Sequence, residues 1–263
     1  MFKTLSKMLF PEGIKCIICD GELDAERFGG VCARCELKQN DRFCDKCGRA
    51  LKTQAKYCAP CQSVRQNFEV VRAPFVYEGE VKHLIYRLKY GNNRFLAQYM
   101  AQFMAKTAVD SELTADFIAF VPLFPCKKKR RGYNQAELLA KEVGRLTDVP
   151  VADVLDKVKE TKNTARMRKY QRIDLLKNSL AVIPGIDFAG KAVLLVDDVF
   201  TTGTTANECA GLLLAAGAER VSVLTFATSK AFIKVADMDF AGTLKQEKGK
   251  RKKSIFDKRG KLL

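Results

Sequence analysis

No stretch of this chain stays apolar for the ~18–20 residues that a membrane helix needs. The first ten residues, MFKTLSKMLF, are broken by Lys3 and Lys7, so they lack the apolar core of a signal peptide. The expected location is therefore the cytoplasm, where thiols stay reduced. A GxxxxGK[ST] phosphate loop is missing, which argues against reading any apolar run plus Asp as the second half of a nucleotide triphosphatase. GxGxxG is missing too, so a dinucleotide fold has no fingerprint. Histidine occurs once, as His83, on a stretch with helical spacing. A metal role for it is not expected, and a solvated or partly packed side chain is the default.

Cysteine, by contrast, is abundant. Eight of the ten cysteines form four CxxC pairs within the first 61 residues. The pairs are Cys16/Cys19, Cys32/Cys35, Cys44/Cys47 and Cys58/Cys61. Two residues between thiolates let one tight knuckle present both sulfurs to a tetrahedral ion. Four pairs make two Cys₄ sites, and zinc is the expected metal. Sequential pairing gives two zinc ribbons in tandem, and cross-brace pairing is the alternative that spacing leaves open. Redox chemistry rarely needs four such pairs. A segment this small has little core, and a structural zinc can contribute roughly 10–16 kcal/mol of apparent binding energy. Cys126 and Cys209 stand outside the pairs and receive no role.

Positive charge is also in excess. The 46 Lys and Arg exceed the 30 Asp and Glu, a net charge of +16. The excess sits in three places: residues 127–131, residues 166–172 and the tail from Lys245 onward. Such segments suit anionic ligands, either a pyrophosphate or a nucleic-acid backbone. For the tail, solubility is an equally good reading.

The stretch 191–226, KAVLLVDDVFTTGTTANECAGLLLAAGAERVSVLTF, organises the rest. Residues 193–196 form a continuous apolar run, as in a strand buried on both faces of a parallel sheet. Asp197 and Asp198 follow where such a strand is expected to end. Thr201, Thr202, Gly203, Thr204 and Thr205 form a hydroxyl-rich turn. Residues 206–216 read as a helix and 220–228 as the next strand, completing a βαβ unit. Backbone N–H groups at the helix start carry partial positive charge, and glycine lets the loop approach a ligand. A carboxylate pair beside that seat suits sugar hydroxyls, or Mg²⁺ held through water. The stretch asks for a ligand with a phosphate at one end and a polyol at the other.

Earlier segments fit the same plan. Residues 63–73 read as a linker, 74–77 as a strand, and 81–90 and 94–108 as helices. Residues 116–123 read as a buried strand followed by a basic loop at 127–131, where α/β proteins bind ligands. Asn134 is placed to cap a helix reaching Leu146. Residues 151–155 and 179–183 suit short strands, and 158–178 reads as a mobile, basic flap. The predicted class is α/β: a mainly parallel sheet flanked by helices, preceded by a small Cys-rich zinc-ribbon module. The expected boundaries are 14–62 for the module, 74–229 for the α/β domain and 230–263 for a basic, disordered tail.

VLLVDDVFTTGTT resembles the phosphoribosyl pyrophosphate (PRPP) motif of type I phosphoribosyltransferases. The resemblance implies that Asp197 and Asp198 contact ribose hydroxyls as the catalytic pair. It implies that Thr201 to Thr205 hold the 5′-phosphate, and that Lys129, Arg130 and Arg131 meet the pyrophosphate with Mg²⁺. The order CxxC pairs, RAPFVYEG, IYRLKYGNN, FVPLFPCKKKRRGYNQAELLA, LLVDDVFTTGTT resembles the ComF family of competence-associated proteins. That family joins a zinc ribbon to a phosphoribosyltransferase-like domain. Membership implies a role in natural transformation, with single-stranded DNA and competence proteins at the inner membrane face as partners. In the flap, Thr161, Met167 and Arg172 fit the family's pattern, whereas Thr164 and Leu175 replace its usual Gln and Asn. The other reading is a non-catalytic scaffold that binds single-stranded DNA or partners.

Overall fold

The computed structural model describes residues 15–19, 21, 22, 31, 32, 35, 37–52, 54–157 and 180–231. The predicted flap at 158–178 and the tail from residue 232 lie outside the described residues. Described elements are α1 (Ala59–Ser63), β1 (Val71–Arg72), β2 (Phe75–Val76), α2 (Gly79–Tyr90) and α3 (Leu96–Asp110). They continue with β3 (Phe117–Phe120), α4 (Pro125–Arg131), α5 (Gln135–Thr147), β4 (Leu155–Lys157) and β5 (Leu180–Val182). The last are β6 (Ala192–Phe200), α6 (Thr204–Ala215) and β7 (Arg220–Thr228).

The main sheet has the order β1-β7-β6-β3, with β2 also on β7, and every pair is parallel. Its centre is apolar on both faces: Leu195, Val196, Val223 and Phe226 are fully buried. This is what an unbroken apolar run demands, since a strand covered by helices on both sides meets no water. Helices α3 and α5 pack on each other and on the sheet. In α3 the residues Leu96, Met100, Met104 and Ala108 are buried, at the spacing of one helical face. Asn134 caps α5, its Oδ1 accepting from Ala136 N at 3.0 Å.

Four differences from the sequence reading matter. β6 does not stop before the acidic pair but runs on to Phe200, because Val199 and Phe200 stay paired with Ala227 and Thr228. The stretch 127–131 is a helix rather than a loop. Pro125 opens it, and Gly132 closes it at φ 81°, in the left-handed region. The expected linker ends in an edge strand, since Val71 and Arg72 pair with Val223 and Leu224. The strand predicted at 151–155 shifts: Val151 makes one isolated bridge, and β4 pairs antiparallel with β5 further on.

The second cysteine segment is stitched to this sheet. Val71 N donates to Lys46 O at 2.9 Å, and Val76 N to Lys38 O at 2.9 Å. Ala231 N donates to Ala50 O at 2.9 Å, beyond the end of β7. These backbone bonds are made by a segment too poor in apolar residues to hold its own position.

Candidate functional site

The carboxyl ends of β3 and β6 open into a cleft of about 260 Å³. Its floor is built from Asp197 and Asp198, which alternate to the two sides of β6. Asp198 is buried and held twice. Lys89 Nζ, from α2, lies 2.5 Å from its Oδ2, and Gln135 Nε2, from the start of α5, donates to its Oδ1 at 3.0 Å. Arg131 in turn donates to Gln135 Oε1. A relay therefore runs from α4 through α5 into the cleft.

Asp197 is half-buried, and its Oδ1 accepts from Asp198 N at 2.8 Å. Burial pushes its carboxyl up to about 8, the neighbouring Asp198 carboxylate adds to the rise, and Lys89 opposes it. Burial alone lowers the Lys89 ammonium, but the Asp198 charge outweighs it and the net direction is up. Lys157, on β4, lines the opposite wall, its Nζ 4.7 Å from the centre of the Phe124 ring. Burial lowers its pKa, against the pull of Cys209 and Asp197. Tyr77 also lines the cleft.

The threonine loop forms the rim. Thr201 and Thr205 line the cleft. Gly203 sits at φ 80° directly before α6, in the left-handed conformation that suits glycine. A Cβ there would lie 2.5 Å from the Phe200 ring, so no other residue fits without movement. Gly203 has no side chain to cap α6, and Thr204 N reaches the Thr202 hydroxyl only at 3.5 Å, which leaves the first amides weakly held and available to a ligand. Thr202 and Thr204 place their hydroxyl oxygens 3.0 Å apart. The arrangement can seat an anion on the helix start while a carboxylate faces hydroxyl groups.

The basic helix is differently placed. Lys129 and Arg130 are exposed and do not line the described cleft. Lys128 pairs with Glu137 at 3.1 Å, and the Arg131 guanidinium lies 5.2 Å from the Tyr90 ring centre. Lys89, Gln135, Lys157 and Tyr77 had no assigned role in the sequence reading. Lys89 and Gln135 do fall inside its quoted segments IYRLKYGNN and RRGYNQ, which was the available signal.

The cysteines assemble into two groups, Cys16, Cys19, Cys32, Cys35 and Cys44, Cys47, Cys58, Cys61. Sequential pairing is thus the arrangement present. Within each group all sulfurs lie within 4.8 Å of one another. Cys19 and Cys32 sulfurs are 3.6 Å apart, and those of Cys47 and Cys58 are 3.5 Å apart. A disulfide would bring them to about 2.05 Å. Tetrahedral zinc with ~2.3 Å bonds requires about 3.8 Å between sulfurs. Backbone amides of Ile18 and Cys32 donate to Cys16 Sγ at 3.4 Å, and that of Cys58 to Cys44 Sγ at 3.3 Å. Such donors stabilise thiolates. Donor type, number and spacing all fit two zinc sites. Among the described residues, Cys126 is exposed and Cys209 is buried, and neither joins a cluster.

Residues 128–255 match the phosphoribosyl transferase domain family. The chain is 32% identical over 218 residues to competence protein F of Haemophilus influenzae, covering 80% of this chain and 94% of that protein. The chain belongs to the competence protein F family. Competence protein ComFC of Streptococcus pneumoniae is 27% identical over 201 residues, covering 74% of this chain and 86% of that protein. DNA utilization protein YhgH of Escherichia coli is 26% identical over 206 residues, covering 74% and 88%. The fold is accordingly of the type I phosphoribosyltransferase class, with two four-cysteine clusters ahead of it in the chain. No described helix is long and apolar enough to cross a membrane.

Proposed function

We propose that this competence protein F relative binds PRPP in the cleft at the carboxyl edge of β6 and serves natural competence and DNA uptake. One observation carries the reading. A left-handed glycine in a threonine loop at a helix start stands beside two carboxylates on one parallel strand. The 5′-phosphate sits on the Thr201 to Thr205 loop, where backbone amides and threonine hydroxyls donate to it. Asp197 accepts from the ribose hydroxyls. Asp198 fixes the cleft floor through Lys89 and Gln135. Lys157 lines the opposite wall directly, while Lys129, Arg130 and Arg131 present positive charge from α4 toward the pyrophosphate end. Bound Mg²⁺ would neutralise the pyrophosphate; Lys89 and Lys157 act on Asp197 only at longer range, whereas Asp198 is closely paired with Lys89. The cysteine groups hold two structural zinc ions. Full thiolate coordination leaves such ions no open position for water. The domain boundaries proposed are those above: module 14–62, α/β domain 74–229 and tail 230–263, in a cytoplasmic protein.

Calorimetric titration of PRPP with and without Mg²⁺ tests the reading. The expected result is Mg²⁺-dependent binding that Asp197→Ala weakens tenfold or more, the order of one charge-assisted hydrogen bond. Undiminished binding in Asp197→Ala would refute the ribose assignment. Pyrophosphate release with added acceptors then separates a transferase from a binding protein.

A second reading, single-stranded DNA as partner, rests on a separate surface. Tyr86, Tyr90 and Phe95 are 63%, 60% and 52% exposed. Tyr86 and Tyr90 lie with ring centres 4.8 Å apart, Arg131 lies over the Tyr90 ring, and Arg94 reaches Gly132 O at 3.2 Å. Exposed rings between cations are what stacked bases and phosphates need. Each stacked base contributes about 1–3 kcal/mol, so Tyr86→Ala with Tyr90→Ala should weaken binding more than tenfold in an anisotropy titration. An unchanged affinity would move the DNA contact elsewhere.

A further inference from the structure

We infer that Arg49 couples the metal state of the second cysteine cluster to the anion affinity of the Thr201 to Thr205 loop. The inference rests on the ligand reading of that loop, and its test separates the two. Arg49 follows Cys47 and Gly48 in the second knuckle, but its side chain leaves the knuckle. Its Nε donates to Thr201 O at 2.9 Å and its Nη2 to Thr202 O at 2.5 Å. The guanidinium also lies 5.5 Å from the ring centre of Phe200, the last residue of β6. Ser229 Oγ adds a second donor to Thr201 O at 3.1 Å.

The main-chain position of Arg49 is set by the cluster. Cys44 N donates to Arg49 O at 2.9 Å, and Gly48 N to Cys44 O at 2.8 Å. Gly48 holds φ 65°, and a Cβ there would stand 2.6 Å from Val71 O. The turn that carries Arg49 is thus closed by both backbone groups of Cys44, one of the cluster's cysteines, and pressed against the sheet edge. In a trans peptide the C=O and the following N–H point in opposite directions. By holding the carbonyls of Thr201 and Thr202, Arg49 turns the amides of Thr202 and Gly203 away from itself, toward the open side of the loop. These are amides that an anion at the start of α6 would use. Arg49 does not touch the ligand, so its role is positioning.

A metal at Cys44, Cys47, Cys58 and Cys61 fixes the knuckle, the knuckle fixes Arg49, and Arg49 fixes the amides. Linkage then makes the effect mutual: the metal raises anion affinity, and the anion raises metal retention by the same factor. The first cysteine cluster meets the α/β domain at another place, where Arg87 of α2 donates to Ile17 O.

The experiment uses the full chain, with ribose 5-phosphate as probe. Arg49→Ala should keep two zinc ions per chain, while hydrogen exchange at Asn207 and Ser229, whose amides donate to Gly203 O and Phe200 O at the two ends of the loop, quickens about tenfold or more, the loss of a charge-assisted hydrogen bond. Ribose 5-phosphate affinity should fall by a similar factor, and Arg49→Lys, which keeps one donor to a carbonyl, should recover part of both. In the unmodified protein the probe should slow zinc release to a colorimetric chelator, and in Arg49→Ala it should not. Unchanged exchange in a zinc-replete Arg49→Ala protein would overturn the inference, as would zinc release indifferent to bound probe. An unmodified protein that does not bind the probe would instead refute the ligand reading, and the exchange comparison would still judge Arg49.

Discussion

Replacing Lys89 by Met should destabilise the α/β unit by about 3 kcal/mol, the lower end of what removing one partner of a buried ion pair costs. Asp198 retains 4% of its side-chain exposure and Lys89 24%, with 2.5 Å between charges. Methionine keeps the stem length and apolar contact but leaves Asp198 with only Gln135. The lower end applies because Lys89 is still partly wetted and Gln135 remains. For a unit of this size, about 2–4 °C per kcal/mol converts the loss to a Tm drop of roughly 6–12 °C. Scanning calorimetry of Lys89→Met, Asp198→Asn and the double variant closes a cycle. The double variant should lose much less stability than the two singles added together, since each single leaves one charge unpaired and the double leaves none. The pH dependence has a definite sign. A lysine whose folded pKa is raised contributes fully below its unfolded value near 10.5 and loses that contribution as pH rises through the folded value. The lysine's own part of the deficit should therefore be flat between pH 6 and 9, and a growing deficit above pH 8 would come from Asp197, whose carboxyl Lys89 holds down. A Tm within 2 °C of the unmodified protein, or strict additivity, would refute the claim that this pair anchors the cleft floor.

Asp197→Asn should remove a pH slope. A carboxyl pushed up to about 8 binds its proton more tightly folded than unfolded, so stability falls as pH rises from about 4 through about 8. The variant's Tm relative to the unmodified protein should thus be higher at pH 8.5 than at pH 5, and parallel curves would refute the shift. Elemental analysis should find two zinc ions per chain and about one in Cys44→Ser, which breaks one of two Cys₄ sets. Retention of both ions would separate Cys44 from metal binding. Gly203→Ala should lower the urea midpoint by the equivalent of about 1–2 kcal/mol, the cost of a left-handed conformation, with a further loss of PRPP affinity. An unchanged midpoint would show that the loop relaxes away from Phe200.

The parts of the fold read correctly from sequence are those whose cause is local. The run at 193–196 is apolar without alternation, and such a pattern fits few settings besides a covered parallel strand. β7 came out at Arg220–Thr228, the predicted bounds, because Gly217 ends the preceding helix and the apolar run starts cleanly. Asn134 was recognisable as a cap because capping acts over two residues. The errors have a common origin. A two-residue edge strand such as β1 has no period to detect, and it exists only because Val223 and Leu224 offer it hydrogen bonds. Residues 127–131 look like a basic loop until Pro125 and Gly132 are read together as the start and stop of a short helix.

The site divides along the same line. A glycine among threonines after two acids announces an anion seat, since the residues that make it are consecutive. Arg49 announces nothing, and Lys89 only its place in IYRLKYGNN. Each is one cation among 46, and its importance lies in a partner far along the chain. Arg49 meets Thr201 across 152 residues, a contact that depends on β1, β7 and the second knuckle all being in place. A charge with a distant, buried or backbone partner differs from a solvated one only after folding, because the partner and the desolvation are both supplied by tertiary structure. The acidic pair shows the consequence most clearly. In sequence, Asp197 and Asp198 are equivalent neighbours with one shared role. Strand alternation sends them to different environments, one held by Lys89 and Gln135, the other left to the cleft. The fold thereby separates an anchoring carboxylate from a ligand-facing one, and the calorimetric cycle at Lys89 and the pH slope at Asp197 measure the two halves of that separation independently.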